Sequence, residues 1–95
     1  MKVISNSALR LFAARHPQSD EALRGWRRVI EKNRFGSWAE LKMAFSKIDK
    51  VGELTVFDIG GNKYRLIAYI RFAKQIVYIK AVLTHRDYDK GAWKS

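Results

Sequence analysis

The chain has 95 residues, with 19 Lys and Arg against 9 Asp and Glu, for a formal net charge of +10. This length fits one domain over residues 1–95 with a single core, and so positive a charge indicates an anionic partner: nucleic acid first, an acidic protein second, a membrane surface third. The absence of cysteine excludes disulfides and thiolate metal sites, and no stretch is long and apolar enough to span a bilayer. With no signal-peptide core at the start, we expect a cytoplasmic protein without a membrane partner.

The first half of the chain predicts helices, because its apolar residues recur at helical spacing. The first four residues form a short edge strand or lead into the first helix. That helix follows Ser7 and ends before Pro17, since proline disfavours helical backbone in the residue ahead of it. A second helix begins at Ser19 or the residue after it and ends by Gly36. A third begins at Ser37, in a pattern typical of a capping box.

The second half predicts three antiparallel strands, Leu54 to Ile59, Lys63 to Phe72 and Ile76 to Thr84, because apolar residues alternate there. Gly60 to Asn62 forms the first turn, since glycine and asparagine adopt positive φ at low cost. The predicted fold class is therefore α+β, with N-terminal helices packed on an antiparallel sheet and a short C-terminal helix or turn. Strict alternation assigns eight residues to the face that packs on the helices: Leu66, Ala68, Ile70, Phe72, Val77, Ile79, Ala81 and Leu83.

The opposite face of the two long strands is cationic and aromatic. One strand contributes Arg65, Tyr69 and Arg71, and the other contributes Tyr78 and Lys80, with no acid among them. Basic residues interleaved with aromatic rings suit a single-stranded nucleic acid, because cations contact phosphates and rings stack on bases. The alternative is an ordinary solvent-facing surface whose tyrosines reflect strand propensity.

The segment "THRDYD" places His85 and Tyr88 where the last strand ends, with Asp87 and Asp89 as plausible carboxylate neighbours of the histidine. RNA cleavage without a metal requires a base for the ribose 2'-hydroxyl, a cation for the phosphate and an acid for the leaving oxygen. Histidine suits proton transfer near neutral pH and arginine suits phosphate. By spacing alone, a structural role for His85, such as a helix cap, is the better-supported alternative. No H-x-x-x-H pattern accompanies it, so we expect no metal and no cofactor.

The segments "GGNKYRLIAYIRF" and "VYIKAVLTHRDYDK", together with "SWAELKMAF" ahead of them, resemble the HigB family of bacterial toxins over most of the chain. These toxins belong to the RelE-like group of messenger-RNA-cleaving toxins. The resemblance implies helices on a curved antiparallel sheet and a metal-independent endoribonuclease, acting on messenger RNA in the ribosomal A site and thereby inhibiting translation. It also implies a cognate HigA-type helix-turn-helix antitoxin as partner, with operator DNA bound only through that antitoxin.

The resemblance also suggests which residues form the site. Arg65 matches the strand arginine that contacts the scissile phosphate in RelE-like toxins, and His85 and Tyr88 lie where the C-terminal part of the active site is expected. Arg65, assisted by Lys80, would stabilise the pentavalent phosphate. His85 would transfer protons, and Tyr88 would place the base or the leaving group. Attack by the 2'-hydroxyl would leave a 2',3'-cyclic phosphate and a 5'-hydroxyl. Further RNA contacts are expected from Lys80, Lys42, Asn62, Lys63, Tyr69 and Arg71.

Two other functions remain open from the sequence. A non-catalytic RNA-binding module explains the charge, the tyrosines and the fold equally well. A ParE-like toxin that inhibits gyrase belongs to the same structural superfamily, but such proteins lack the set formed by Arg65, His85 and Tyr88. Substitution of single side chains separates these functions, because binding depends on the total charge whereas cleavage depends on individual groups.

Overall fold

The computed structural model describes residues 1–5 and 7–94 in full, and Asn6 only as part of a helix. Short 3₁₀ turns cover Pro17–Ser19 and Ala92–Lys94. The strands and helices follow in chain order: β1 Lys2–Ile4, α1 Asn6–Arg15, α2 Asp20–Lys32, α3 Trp38–Ala44, β2 Ile48–Val51, β3 Leu54–Ile59, β4 Tyr64–Arg71, β5 Ile76–Thr84 and α4 His85–Asp89. No helix of these residues is long and apolar enough to cross a bilayer.

The strands form one five-stranded sheet in the order β1-β5-β4-β3-β2. The pairs β2–β3, β3–β4 and β4–β5 are antiparallel, and β1 runs parallel to β5 at one edge. The predicted α+β class, with helices on an antiparallel sheet and a short C-terminal helix, is therefore confirmed. Strand β2 was not predicted, because its sequence, "IDKV", carries two exposed charged residues and buries only Ile48.

Helices α1 to α3 pack against one face of the sheet, here called the inner face. Each helix turns its apolar stripe inward, as expected for a surface helix. Trp26 of α2 meets Phe57 of β3 edge-on, with ring centroids 5.3 Å apart. Leu66 of β4 is fully buried, which contributes about 1.5–3 kcal/mol for a side chain of this kind. The buried inner core also includes Leu9, Phe12, Leu23, Ile30, Leu41, Ala68, Val77 and Ile79.

A β-bulge interrupts the pairing of β4 with β5. Ala68 pairs with Ile79, whereas the preceding residue of β4, Ile67, pairs with Ala81. Lys80 is thus an extra residue in β5 at this point. Because side chains alternate between the two faces of a strand, one extra residue exchanges the faces of everything that follows it.

The bulge corrects one part of the predicted core. Alternation predicted that Ala81 and Leu83 face the helices, and this is wrong. Val82 packs against the inner core instead, while Leu83 pairs with Arg65 on the opposite, outer face. The sequence shows an unbroken strand pattern here, so nothing in it signals the extra residue.

The outer face is covered in part by the C-terminal segment. Val56 and Ile67 pair across β3 and β4 on this face and are almost fully buried, although they do not belong to the inner core. Helix α4 lies against this side of the sheet, where the ring of Tyr88 meets the guanidinium of Arg65. The molecule therefore has helices on one face of the sheet and a short C-terminal cover on one end of the other.

Candidate active site

The turn between β3 and β4 positions the first site residue. Gly60, Gly61 and Asn62 have φ angles of 64°, 63° and 80°, which are accessible to glycine and tolerated by asparagine. The turn thus has the backbone expected from its residues. It pairs Asp58 with Arg65 across the hairpin, so opposite charges lie directly across the two strands, an arrangement that stabilises a sheet.

Arg65 is a buried arginine whose guanidinium is largely occupied by the protein. The residue is 7% exposed. Its Nε lies 3.1 Å from Asp58 Oδ1. Nη1 donates to the carbonyl oxygens of Asn62 and Tyr64 at 3.2 and 3.1 Å, and Nη2 donates to Asn62 Oδ1 at 2.5 Å. Within the described residues, one N–H of Nη2 is left without a protein acceptor.

This arrangement differs from the fork expected of a phosphate-binding arginine. A two-pronged grip on phosphate needs two neighbouring N–H groups free on one edge of the guanidinium. In the structure three N–H groups of Arg65 are donated to protein acceptors and Nε faces Asp58, whose negative charge offsets that of the arginine. The guanidinium thus fixes the conformation of the Asn62 turn, and its geometry leaves one donor for a ligand.

Helix α4 carries the histidine. The Oγ1 of Thr84 accepts a hydrogen bond from the backbone N–H of Asp87 at 3.2 Å and caps the helix. The backbone N–H of His85 donates to the carbonyl of Lys63 at 3.0 Å, which ties the start of α4 to the start of β4. His85 Nε2 lies 3.2 Å from Asp89 Oδ2, and about half of each side chain is exposed. The histidine is therefore oriented by a carboxylate and open to solvent.

Tyr88 connects the histidine helix to the buried arginine. The centre of the Arg65 guanidinium lies 5.4 Å from the centroid of the tyrosine ring, within the range of a cation–π contact. The same ring stacks on Trp93, with centroids 5.0 Å apart and planes 15° apart. Trp93 Nε1 also donates to the backbone carbonyl of Tyr88 at 3.0 Å. The structure thus brings Arg65, Asn62, Tyr88 and His85 together at one end of the outer face.

Three other predicted RNA-binding residues lie toward the opposite end of that face. The rings of Tyr69 and Tyr78 pair across β4 and β5, with centroids 6.1 Å apart. Tyr69 and Lys80 line a shallow hollow beside the β2–β3 hairpin. Arg71 is exposed at the last position of β4. The cationic and aromatic surface expected from the sequence is present, but it forms two separate groups.

Lys42 is placed differently from the other predicted residues. It lies on α3, whose apolar side packs on the inner face. Its Nζ donates to the carbonyls of Ser46 and Ile48, at 3.4 and 3.3 Å, and lies 5.2 Å from the centroid of the Trp38 ring. These contacts close the connection between α3 and β2. The structure therefore does not bring Lys42 to the Arg65 end of the outer face, whereas exposed Lys63 borders that end through its bond to His85.

A second cationic surface lies on the helical side of the molecule. A groove of about 500 Å³ between α1 and α2 has ten lining residues, of which five are basic and two are acidic. Two of its arginines are paired with acids on the same helix, Arg24 with Asp20 at 2.9 Å and Arg27 with Glu31 at 3.0 Å. The remaining basic residues have no ion pair among the described residues: Arg10, Arg28 and Lys32.

Sequence reasoning missed two residues of the site. Asp58 pairs with Arg65 because the turn covers four residues, 60–63, whereas the three-residue turn expected from the sequence sets Asp58 opposite Tyr64. Trp93 stacks on Tyr88, and its contact depends on the positive φ of Gly91, which redirects the chain after α4. Of the two carboxylates expected near His85, Asp89 is the neighbour. Within the described residues, no three metal-ligating side chains gather in a way that could hold a metal ion.

Residues 19–91 match the family model of the HigB toxins, described as a RelE-like toxic component of a toxin-antitoxin system. The chain is 33% identical over 93 residues to an mRNA interferase HigB of Escherichia coli O6:H1, covering 95% of this chain and 90% of the relative. It is 35% identical over 92 residues to the mRNA interferase toxin HigB of Escherichia coli K12 and to the mRNA interferase HigB of Shigella flexneri. Those matches cover 94% of this chain and 88% of each relative.

Proposed function

Because the chain belongs to the HigB toxins, the RelE-like toxic components of toxin-antitoxin systems, we propose that it is an endoribonuclease that cleaves messenger RNA. The relatives at 33–35% identity are named mRNA interferases, and their similarity extends over nearly the whole chain. The observation that carries the proposal for this chain is the His85–Asp89 pair. It lies half-exposed beside Tyr88 and Arg65 at one end of a cationic face.

His85 has the geometry of a proton-transfer group. With Nε2–H directed to Asp89, the neutral imidazole carries its lone pair on Nδ1, and that nitrogen takes the proton of the ribose 2'-hydroxyl. The oxygen attacks the phosphorus, the bond to the leaving 5'-oxygen breaks, and the protonated His85 gives the proton that it took to that oxygen. The products are a 2',3'-cyclic phosphate and a 5'-hydroxyl. The mechanism uses no metal ion.

Arg65 and Tyr88 contribute in different ways. The remaining N–H of Arg65 Nη2 donates to the phosphate oxygen on which negative charge develops. The other contacts of Arg65 hold the Asn62 turn and the Tyr88 ring in place. The ring of Tyr88 already contacts Arg65 and Trp93, so its contribution comes from the hydroxyl, which donates a hydrogen bond to the leaving group. Lys63 and Asn62 contact the RNA at the rim of the site, and Lys80, Tyr69 and Arg71 follow the strand along the outer face.

We further propose the partners of this activity. The messenger RNA is cut in the ribosomal A site of the cytoplasm, and a HigA-type helix-turn-helix antitoxin neutralises the toxin and carries it to operator DNA. The basic groove between α1 and α2 supports an anionic partner on the side of the molecule away from the cleaved bond. Ribosomal RNA and an acidic antitoxin segment share this chemistry.

The test is induction in bacteria of the wild-type chain and of the His85→Ala variant, followed by mapping of 5' ends in messenger RNA. We expect growth arrest with new 5'-hydroxyl ends inside coding regions for the wild type, and neither for the variant. Asp87→Asn is the matched control, because Asp87 lies on the same helix but faces Lys90 at 3.8 Å rather than the histidine. Growth arrest with intact messenger RNA would contradict the proposal and favour a ParE-like action on gyrase.

A non-catalytic RNA-binding module is the second candidate, and the bonds between Arg65 and other residues of the protein favour it. An arginine already bonded to Asp58 and Asn62 offers little to a developing charge, whereas the exposed cations still attract RNA. Under this candidate, the wild-type chain binds RNA without producing new ends. The His85→Ala variant then binds as tightly as the wild type, which filter binding measures directly.

A further inference from the structure

We propose that the hollow at the Tyr69 end of the outer face binds one unpaired nucleobase of the RNA, with a preference for guanine. The inference rests on the proposed function, since it requires an RNA strand along this face, and it adds a base-specific subsite to it. The hollow has a volume of about 450 Å³ and five lining residues: Val51, Glu53, Leu54, Tyr69 and Lys80.

The apolar and aromatic residues that line the hollow form a surface on which a base can stack. Leu54 pairs with Tyr69 across β3 and β4, and Val51 pairs with Leu54 across β2 and β3, so an aromatic ring and two aliphatic side chains lie side by side. All three are half-buried and keep surface for a ligand. A ring stacked on an apolar floor is the environment that an unstacked base takes in single-strand binding proteins.

The two charged residues of the hollow provide the polar contacts. Lys80 is exposed, is the extra residue of the bulge, and lines the hollow together with Tyr69. It supplies a cation for the phosphate of the bound nucleotide. Glu53 is exposed in the two-residue turn between β2 and β3, whose backbone is set by the positive φ of Gly52. It supplies a carboxylate at the rim.

The carboxylate of Glu53 selects among the bases because it only accepts hydrogen bonds. Guanine presents two adjacent donors, N1–H and the 2-amino group, which match the two carboxylate oxygens. Adenine and cytosine present one amino group beside an acceptor nitrogen, and uracil presents one N–H between two carbonyls. A two-bond match discriminates against the other bases about tenfold or more.

The subsite lies apart from the cleaved bond. Tyr69 is four residues along β4 from Arg65, which corresponds to about 13 Å of extended strand. That separation places the bound base on a nucleotide flanking the one held by Arg65 and His85. The hollow therefore influences which sequences are cut without touching the reacting atoms.

The test measures binding to RNA that cannot be cleaved. Seven-nucleotide 2'-O-methyl oligouridines carrying a single central guanine, adenine or cytosine are titrated against the wild-type chain, beside oligouridine itself. We expect the guanine oligomer to bind about tenfold more tightly than the others. Glu53→Gln should abolish that preference, whereas Glu21→Gln, which removes an exposed carboxylate from α2, should keep it. Equal binding of all four oligomers by the wild type would overturn the guanine preference.

A second pair of variants tests the stacking. Tyr69→Ala should weaken binding of every oligomer about tenfold, and Tyr69→Phe should restore it, because stacking needs the ring and not the hydroxyl. Unchanged binding in Tyr69→Ala, with thermal unfolding showing a folded variant, would overturn the subsite. These measurements are independent of cleavage. A guanine preference without new RNA ends in cells would refute only the nuclease, and cleavage without a preference would refute only the subsite.

Discussion

Replacement of Arg65 by alanine should destabilise the protein far more than replacement of an exposed arginine on the same strand. The side chains of Arg65 and Asp58 are 9% and 20% exposed, and they form an ion pair at 3.1 Å. Removing one partner of a buried pair costs about 3–5 kcal/mol, because the other charge is left without compensation. Asp58 keeps some contact with water, so we expect the lower end, about 3 kcal/mol of unfolding free energy.

Urea denaturation followed by tryptophan fluorescence measures this difference. Arg71→Ala is the matched control, since Arg71 also belongs to β4 but is exposed, and its loss should change the unfolding free energy by no more than about 0.5 kcal/mol. Arg65→Lys keeps the charge but lacks the planar fork that serves several acceptors at once. Its stability should therefore lie closer to that of Arg65→Ala than to that of the wild type.

A double-mutant cycle with Asp58→Asn isolates the ion pair. Because the two side chains touch, the double variant should be more stable than the sum of the single changes predicts, by about 1 kcal/mol or more. If Arg65→Ala unfolds at the same urea concentration as Arg71→Ala, the internal bonds of Arg65 contribute little. The guanidinium would then be free to bind a phosphate, in contradiction to its bonds with Asp58 and Asn62.

Three further predictions concern the histidine helix, Trp93 and Lys42. His85→Ala should lower the cleavage rate by about 10²–10⁴-fold, the usual contribution of proton transfer. Asp89→Asn should also lower it, because Asp89 orients the histidine, whereas Asp87→Asn should cleave at a rate near that of the wild type. A primer-extension assay on a ribosome-bound message measures all three rates. Trp93→Ala should lower the unfolding free energy by about 1 kcal/mol through loss of the stacked ring pair, measured by thermal melting. Lys42→Ala should lower the unfolding free energy by about 1 kcal/mol, because the Lys42 ammonium closes the α3–β2 connection. Its acceptors are uncharged carbonyls, so urea denaturation at high and low salt should give nearly the same difference.

The fold was largely predictable because its signals are local. Helical spacing, the serine ahead of α3 and the turn at Asn62 each act within a few residues of chain. The hydrogen bond from the Glu40 N–H to the Ser37 hydroxyl at 3.3 Å confirms the cap of α3. The parallel pairing of β1 depends on distant contacts, Lys2 with Ile76 for instance, and could be anticipated only as an edge strand.

The candidate site was less predictable, because side-chain partners depend on three-dimensional packing. The sequence indicates that Arg65, Tyr88 and His85 come from neighbouring ends of β4 and β5, and the structure brings them together. It does not indicate that Arg65 is buried and mostly bonded within the protein, which follows from the cover provided by α4 and the Asn62 turn. Lys42 was expected to contact RNA. Its ammonium instead bonds to backbone carbonyls in the connection that follows its own helix.

The extra residue of β5 divides the strand into two parts whose alternate side chains face opposite sides of the sheet. Up to Ile79, the odd-numbered residues of the strand face the inner core. After Lys80 the even-numbered ones do, so that Leu83 lies beside Arg65 and not under the helices. A saturation-mutagenesis map of the strand should therefore show its period-two tolerance inverting at position 80, with Val82 intolerant of polar residues. Deleting Lys80 alone would join Ile79 directly to Ala81, which already pair with adjacent residues of β4, so the strand should lose its bulge while Val82 and Leu83 keep their faces.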